Sequence, residues 1–426
     1  MEKLPYFTII IPQKDRAEYL YHTIRTCMIQ DYPNLEILVS DDCSEDNSVA
    51  VVQELMKMDK RIQLFAHKQH LGMRDNFEFV LDKVKPGYVM ALGGDDALVP
   101  GAIWRMLEIL KQTHTQLLTW TPDLFHYAEE PDGPNIICIR RWKKHFVKKL
   151  KSTDYLNTIS KTFNYMIDEC PMFYVKGVAS TGLVNRVKSR TPDHCFYSCP
   201  TPDGYSGVVL SGEVEEYAFT NEPLSIIGSS PKSQGKNYHR NDEKSRKESE
   251  EFFKDNSSRP MHKELASQQY SPLVTLMTAD YLLTARDLPG WPGKVPELSY
   301  EALIKKTFEF LQKSTFKNEV LIRELRILRE VAVQHGLVGL FDDLIKNTKR
   351  KVVWENNIFG FAITNSIRLE GKELGIDNIF DASMAAHYIS KTYHKVSFRG
   401  LFEAFVNSSR LVLRNYKYKS ESFPKI

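Results

Sequence analysis

Half-cystine pairs, one-sided charge, long apolar runs and internal repeats are all scarce in this chain. Six cysteines in 426 residues are too few and too scattered for a disulfide framework, and a reducing compartment is expected. Cys195 and Cys199 form a C-x-x-x-C pair with no second Cys or His pair at zinc-like spacing, so two ordinary thiols are expected there. Lys plus Arg exceed Asp plus Glu by 57 to 54. This balance gives no bulk field for a polyanion and excludes a nucleic-acid binder that works through net charge. No stretch of about 18 apolar residues runs without a charge, and the first residues lack an apolar core before a cleavage site. A cytoplasmic protein, with at most a peripheral contact on the inner face of a membrane, is the expectation. No repeat of fixed period and no low-complexity tract occurs.

The first 122 residues alternate between short apolar runs and helical patterns. Strands are expected at Phe7–Pro12, Leu35–Val39, Ile62–Phe65, Tyr88–Leu92 and Gln116–Trp120. Between them lie helices marked by Leu20, Ile24 and Met28, by Val49, Val52 and Met56 with Ser44 as N-cap, by Phe77, Leu81 and Val84, and by Ile103, Met106 and Leu110 after Pro100. Strand and helix alternating in this way predict parallel strands with right-handed crossovers, a doubly wound α/β sheet. The acceptor half is expected over about 123–240, a charged linker over 241–261, and a mainly helical accessory domain over 262–426. There Lys317–His335 carries an apolar face and Gly336 is a natural C-cap. The C-terminal helices are a candidate face for self-association.

Doubly wound sheets bind ligands beyond the carboxyl ends of their strands, and unusual polar groups stand there: Gln13, Lys14 and Asp15, then Asp41 and Asp42, then Asp95 and Asp96. Adjacent carboxylates repel, and a cation or a donor ligand compensates them. Gly93 and Gly94 before the second pair permit close approach of a bulky ligand. Asp95 and Asp96 therefore suit Mg²⁺ or Mn²⁺ bound through one carboxylate, with phosphate oxygens and water completing the shell. Capping of the helix near Pro100 is the other reading. Asp41 and Asp42 suit hydrogen bonds from a nucleobase imide or a ribose hydroxyl, with helix capping again the alternative.

In order, FTIIIPQKDRAEYLYHTI, QDYPNLEILVSDDCSEDNS, HLGMRDNFEFVL and GGDDALVPGAI resemble the family 2 glycosyltransferases with the GT-A fold. The resemblance implies a Rossmann-like nucleotide-sugar domain followed here by the helical region, and a metal-dependent transfer that inverts the anomeric carbon. It places Pro12 and Gln13 against the base, Asp42 on uracil or ribose, Arg74 on the base or diphosphate, Asp95 on ribose or sugar, and Asp96 on the metal. Asp15 is counted with the nucleotide-sugar contacts and is expected to pair with Arg16 or Arg74. More weakly, Pro200–Tyr205 and Pro223–Gly235 are similar to segments of relatives that build bacterial surface polysaccharides. Asp203 is the expected base that takes the acceptor proton, with Asp193 and Glu213 as alternatives. Lys232, Ser230 and Ser233 are expected to close over the diphosphate, and His239 is a candidate further metal ligand. The implied partners are a nucleotide-sugar donor, UDP-linked, and a glycan or lipid-linked acceptor, with no nucleic acid. The basic stretch Arg140–Lys151 is either a contact for anionic lipid or a solvated helix face. The competing functions are a sugar nucleotidyltransferase, which PQKDRAEYL opposes for want of glycines, and a non-catalytic glycan-binding scaffold.

Overall fold

In this computed structural model the described residues are 4–128, 135–140, 145–233, 238, 243–256, 259–265, 270–355, 366–392, 416–421 and 423–424. The expected strands form: β1 (Tyr6–Gln13), β2 (Leu35–Asp41), β3 (Ile62–Ala66), β4 (Gly87–Ala91) and β6 (Leu117–Trp120). Their apolar runs are continuous because both faces of the sheet are covered. Along β1, Phe7, Ile9 and Ile11 enter one core while Ile10 enters the other; β2 repeats this with Ile37 and Val39 against Leu38. Helices α1 (Ala17–Met28), α2 (Ser48–Met58) and α4 (Ala102–Thr113) supply Leu20, Ile24, Val52, Leu55, Ile103 and Met106 to the first core. Helix α3 (Met73–Leu81) supplies Phe77 and Val80 to the second.

The sheet is mixed rather than wholly parallel. Its order is β3-β2-β1-β4-β10-β6-β11-β9, with β9 (Val147–Lys151), β10 (Gly177–Ser180) and β11 (Glu216–Thr220) contributed by the second half. Strand β10 runs antiparallel to both β4 and β6, so the fifth expected strand is not a neighbour of the fourth. Its sequence, GVAS, is too short and too small-chained to advertise itself as a strand.

A second sheet, in the order β14-β8-β7-β12-β5, is built from β5 (Ala97–Leu98), β7 (Asp123–His126), β8 (Ile136–Arg140), β12 (Ser225–Ser229) and β14 (Ser366–Glu370). Through the antiparallel pairs Ser225 with Leu98 and Ile226 with Ala97 it brings β12 against the segment that follows β4. The fully buried Trp120 adds a tie, its indole N–H donating to Ser225 Oγ at 2.7 Å.

Three expected features differ. Ser44 does not cap α2, which begins at Ser48; Ser44 Oγ instead accepts the backbone N–H of Asp15 at 2.8 Å. The charged segment 241–261 holds helix α8 (Glu243–Asp255) rather than only a linker. The basic stretch Arg140–Lys151 is not a helix face: β8 ends at Arg140 and β9 begins at Val147, while 141–144 lie outside the described residues.

The second core runs without a break from α5 (Ser152–Thr162), α6 (Thr181–Lys188) and α7 (Pro202–Gly212) into the C-terminal helices α9 (Val274–Arg286), α10 (Tyr300–Lys313) and α11 (Asn318–Gln334), through Leu156, Leu183, Val208, Leu276, Leu282, Leu303 and Leu328. Helix α11 ends as expected, with Gly336 in the left-handed region at φ +68°, a conformation that glycine adopts without strain. After α12 (Val338–Asn347), helix α13 (Ile379–Thr392) returns to the first core, where Ser383 Oγ donates to the Leu98 carbonyl at 2.7 Å. Strands β13 (Arg350–Glu355) and β15 (Tyr416–Glu421) pair with each other. No described helix is long and apolar enough to cross a membrane.

Ile9 is fully buried in the central strand with core on its side of the sheet. Ile9→Ala is expected to cost about 2–5 kcal/mol, read as a fall in the urea midpoint at unchanged slope.

Candidate active site

The strand tips converge at the carboxyl edge of β1, β2 and β4. The turn after β1 is shaped first. Asp15 sits at φ +54°, and its Oδ1 accepts the backbone N–H groups of Glu45 at 2.7 Å and Asp46 at 3.3 Å. Asp15 thus binds amides of the β2–α2 loop and pairs with neither Arg16 nor Arg74. Pro12 lies in β1 opposite Ser40 of β2. Gln13, nearly buried, donates from Nε2 to Asp41 Oδ2.

Asp95 and Asp96 are 4% and 2% exposed. They do not cap α4, whose first residue is Ala102 and whose N-cap is Gly101. Asp96 Oδ2 accepts the N–H of Gly93 and Oδ1 that of Gly228, both at 2.9 Å. Asp95 Oδ2 receives Ser230 Oγ at 2.6 Å, Ser233 Oγ at 3.1 Å and the Arg16 guanidinium at 3.1 Å. Burial, and then the neighbouring charge of Asp95, push Asp96 well above the usual carboxylate range, against the pull of the two amides and Arg16. One guanidinium between two buried carboxylates leaves the pair short of positive charge.

Glycine is required where β12 passes. A Cβ on Gly228 would stand 1.7 Å from the Asp95 carbonyl oxygen, and one on Gly93 would stand 2.3 Å from Tyr174 Oη and 2.4 Å from Asp96 Oδ2. Close backbone approach therefore delivers the Ser230–Ser233 turn to the carboxylates. Lys232 donates from Nζ to the Asp15 carbonyl, and its own carbonyl accepts from Arg16 at 2.7 Å. Lys232, Ser233, Arg16, Asp15 and Asp95 thus form one hydrogen-bonded group.

Asp42 lies one strand over. Its Oδ1 accepts Leu71 N–H at 2.6 Å, and its Oδ2 accepts Gly72 N–H at 3.1 Å and faces His70 Nδ1 at 2.9 Å. Arg74, at the start of α3, is spent on protein groups: Nε donates to the Tyr197 carbonyl at 2.6 Å and Nη1 to Asp75 at 2.6 Å.

Asp203 stands in the first turn of α7, half-buried, and desolvation pushes its carboxyl up to about 6. Its charge acts on the buried phenols of Tyr165, Tyr174, Tyr197 and Tyr281, and Tyr174 also feels Asp96 and Asp95. Tyr174 therefore joins the two acidic centres electrostatically. The Tyr197 hydroxyl is buried with no hydrogen-bond partner among the described residues. The alternatives are differently placed. Glu213 is held by Arg190 through both carboxylate oxygens and lies near Arg186. Asp193 is largely exposed, caps Cys195 N–H and lies 3.7 Å from Arg74.

Arg16, Ser230 and Tyr174 complete the arrangement. Of these the sequence pattern pointed to Ser230 as a group closing over a ligand and to Arg16 only as a partner of Asp15; Tyr174 carried no signal beyond an aromatic in an irregular segment. Among the described residues no three His, Cys, Asp or Glu side chains converge as a metal cage, and His239 lies outside the described residues. The donor set still fits a hard divalent ion, since each Asp96 oxygen keeps a second lone pair after its amide bond and such ions take their remaining ligands from phosphate oxygens and water.

Residues 8–169 match the model of the glycosyl transferase family 2. Over these residues the chain is similar to the family 2 glycosyltransferases. The chain is 35% identical over 106 residues to the GalNAc(5)-diNAcBac-PP-undecaprenol beta-1,3-glucosyltransferase of Campylobacter jejuni, covering 25% of this chain and 34% of that one. It is 25% identical over 108 residues to the putative teichuronic acid biosynthesis glycosyltransferase TuaG of Bacillus subtilis, covering 25% of this chain and 43% of that one. The matches thus span less than half the length of these relatives. A crystal structure of S. aureus TarS in complex with UDP-GlcNAc aligns over 80% of this chain and 92% of that one, at 12% identity and a TM-score of 0.45. Within residues 8–169 the strand-tip acids Asp42, Asp95 and Asp96 lie in the stretch that matches.

Removing the guanidinium should expose how much the acidic pair relies on it. Arg16→Met is expected to cost about 3–5 kcal/mol by leaving a buried carboxylate unpaired, and adding Asp95→Asn to recover most of that loss, in urea denaturation of the two variants.

Proposed function

We propose that the protein is an inverting glycosyltransferase that moves a sugar from a UDP-linked donor to a hydroxyl of a glycan or lipid-linked acceptor in surface-polysaccharide synthesis. The observation that carries this reading is the placement of two buried carboxylates under the Gly228–Ser233 turn, with Asp42 at the tip of the strand beyond β1. The C. jejuni and B. subtilis relatives are named as a GalNAc(5)-diNAcBac-PP-undecaprenol glucosyltransferase and a putative teichuronic acid biosynthesis glycosyltransferase, and these acceptor classes are proposed here by analogy.

Each residue has a defined task. Pro12 and Gln13 form the floor under the base, and Asp42 accepts the uracil imide. Asp95 orients ribose or sugar hydroxyls, and Lys232 with Ser233 closes over the diphosphate. Asp96 would hold Mn²⁺ or Mg²⁺, which when bound neutralises charge developing on the departing nucleoside diphosphate. Asp203 takes the proton of the acceptor hydroxyl as that oxygen attacks the anomeric carbon on the face opposite the leaving group. A single base suffices, and the carbon inverts. Lys149 and Lys151, on one face of edge strand β9, offer a contact for anionic lipid head groups; Lys149 is paired with Glu216 at 2.5 Å.

A base works only when ionised, and burial has raised the Asp203 carboxyl to about 6. The rate should therefore fall as pH drops through about 6, tenfold per unit below it. Asp203→Asn should abolish that acidic limb and lower kcat by about 10²–10⁴. The assay is turnover of a UDP-sugar panel on lipid-linked glycan acceptors, with the anomeric configuration of the product read by NMR. Hydrolysis or transfer with retention, or nucleotide binding without turnover on any acceptor, would contradict the proposal.

A further inference from the structure

Helix α8 arises from a segment whose charge pattern suggested only a linker, yet its side chains meet the donor-binding half at three points. Lys14 Nζ donates to Glu251 at 3.0 Å, His70 Nε2 meets Asp255 Oδ2 at 2.8 Å, and just past the helix Arg259 reaches Asp75 at 2.9 and 3.1 Å. Of the three, the His70 contact leads directly to a ligand-facing residue. Its other nitrogen, Nδ1, lies 2.9 Å from Asp42 Oδ2. The ring thus spans two carboxylates, Asp42 at the tip of β2 and Asp255 near the end of α8. Its hydrogen bond goes from Nε2 to Asp255, and its ion-pair contact from Nδ1 to Asp42.

The hydrogen-bond capacity of Asp42 makes the bridge specific. A carboxylate offers roughly four acceptor positions, two per oxygen. On Oδ2 Gly72 N–H takes one and His70 Nδ1, in an ion-pair contact 2.9 Å away, stands over the other; on Oδ1 Leu71 N–H takes one. One position is left, and it is on Oδ1. We infer that His70, braced by Asp255, is a positioning residue that locks the Asp42 carboxylate so that Oδ1 alone is presented to the uracil imide. The inference rests on the reading of Asp42 given above. Uracil donates from its imide N–H, whereas cytosine at the same ring position offers only a lone pair. A carboxylate locked in this way therefore selects UDP over CDP, and one free to rotate, or to recruit water, selects less. Lys14 and Glu251 stand beside the bridge, and Lys14 first and His70 after it hold the Glu251 carboxyl below its usual range.

The test is calorimetric titration of the full-length protein with UDP and with CDP, alongside its thermal melt. His70→Ala is expected to weaken UDP binding about tenfold and to shrink the preference for UDP over CDP. Asp255→Ala, which leaves every contact of the 71–72 amides intact, should move both readouts the same way by less, and the double variant should be no worse than His70→Ala. A merely structural brace would lower the melting temperature and leave the preference unchanged, and that result overturns the inference. Asp42→Ala separates the layers: if it abolishes the preference while His70→Ala keeps the wild-type value, the positioning role alone is refuted. If Asp42→Ala itself leaves UDP binding and preference untouched, the underlying reading of Asp42 falls, and the inference with it.

Discussion

Two neighbouring carboxylates, Asp95 and Asp96, are buried side by side with a single guanidinium for company. Everything around the site answers that electrostatic demand. Two glycine amides and two serine hydroxyls supply the dipoles that a folded chain can offer without adding charge, and they lower the cost of burial without removing it. The shortfall persists in the raised proton affinity of Asp96. A protein that only needed a stable turn here would have done better with neutral residues, because a buried ion group is poor value for stability. Under the function proposed above, the pair is half of an interaction that a cation and its anionic cargo would complete.

The fold serves this constraint through two sheets. The large sheet sets β1, β2 and β4 side by side, so their tips carry Gln13, Asp42 and the glycine pair to one edge. The small sheet pins β12 to β5, and the absence of a side chain at Gly228 lets the second backbone pass directly over Asp95. On the opposite side, Glu78 of α3 accepts the N–H groups of Phe196 and Tyr197. This fixes the tyrosine-rich wall around Asp203 to the same helix that carries Arg74 in its first turn. The strand-tip carboxylates and the wall around Asp203 are thus registered against a common element, and Tyr174 feels the charges of both.

The nucleotide half was legible because its strands are buried on both faces and so appear as unbroken apolar runs, such as FTIII and LEILV, each followed by a polar tip. Family motifs placed on those tips then named most of the residues that meet there. What escaped were features set by distant parts of the chain. The Asp95–Ser230 and Arg16–Asp95 contacts join segments 135 and 79 positions apart (230 − 95 and 95 − 16), and no local periodicity announces them. Strand β10 is four small residues that become a strand only because β4 and β6 flank the gap. Helix α8 was read as a linker because its composition is almost wholly charged, and its helicity depends on a few apolar and ionic contacts, Phe252 and Phe253 against the second core and Glu251 and Asp255 against the donor half. Ser44 resembled a helix cap by position, but the left-handed turn at Asp15 claims its hydroxyl first.

The most direct test of the central claim is the affinity of the wild-type protein for UDP with Mn²⁺ present and after chelation, set beside the same pair of titrations on Asp96→Ala. The account predicts tight, metal-dependent binding in the first and weak, metal-indifferent binding in the second. Equal affinity in all four titrations would show that the buried carboxylates do not converge on a cation-bound diphosphate.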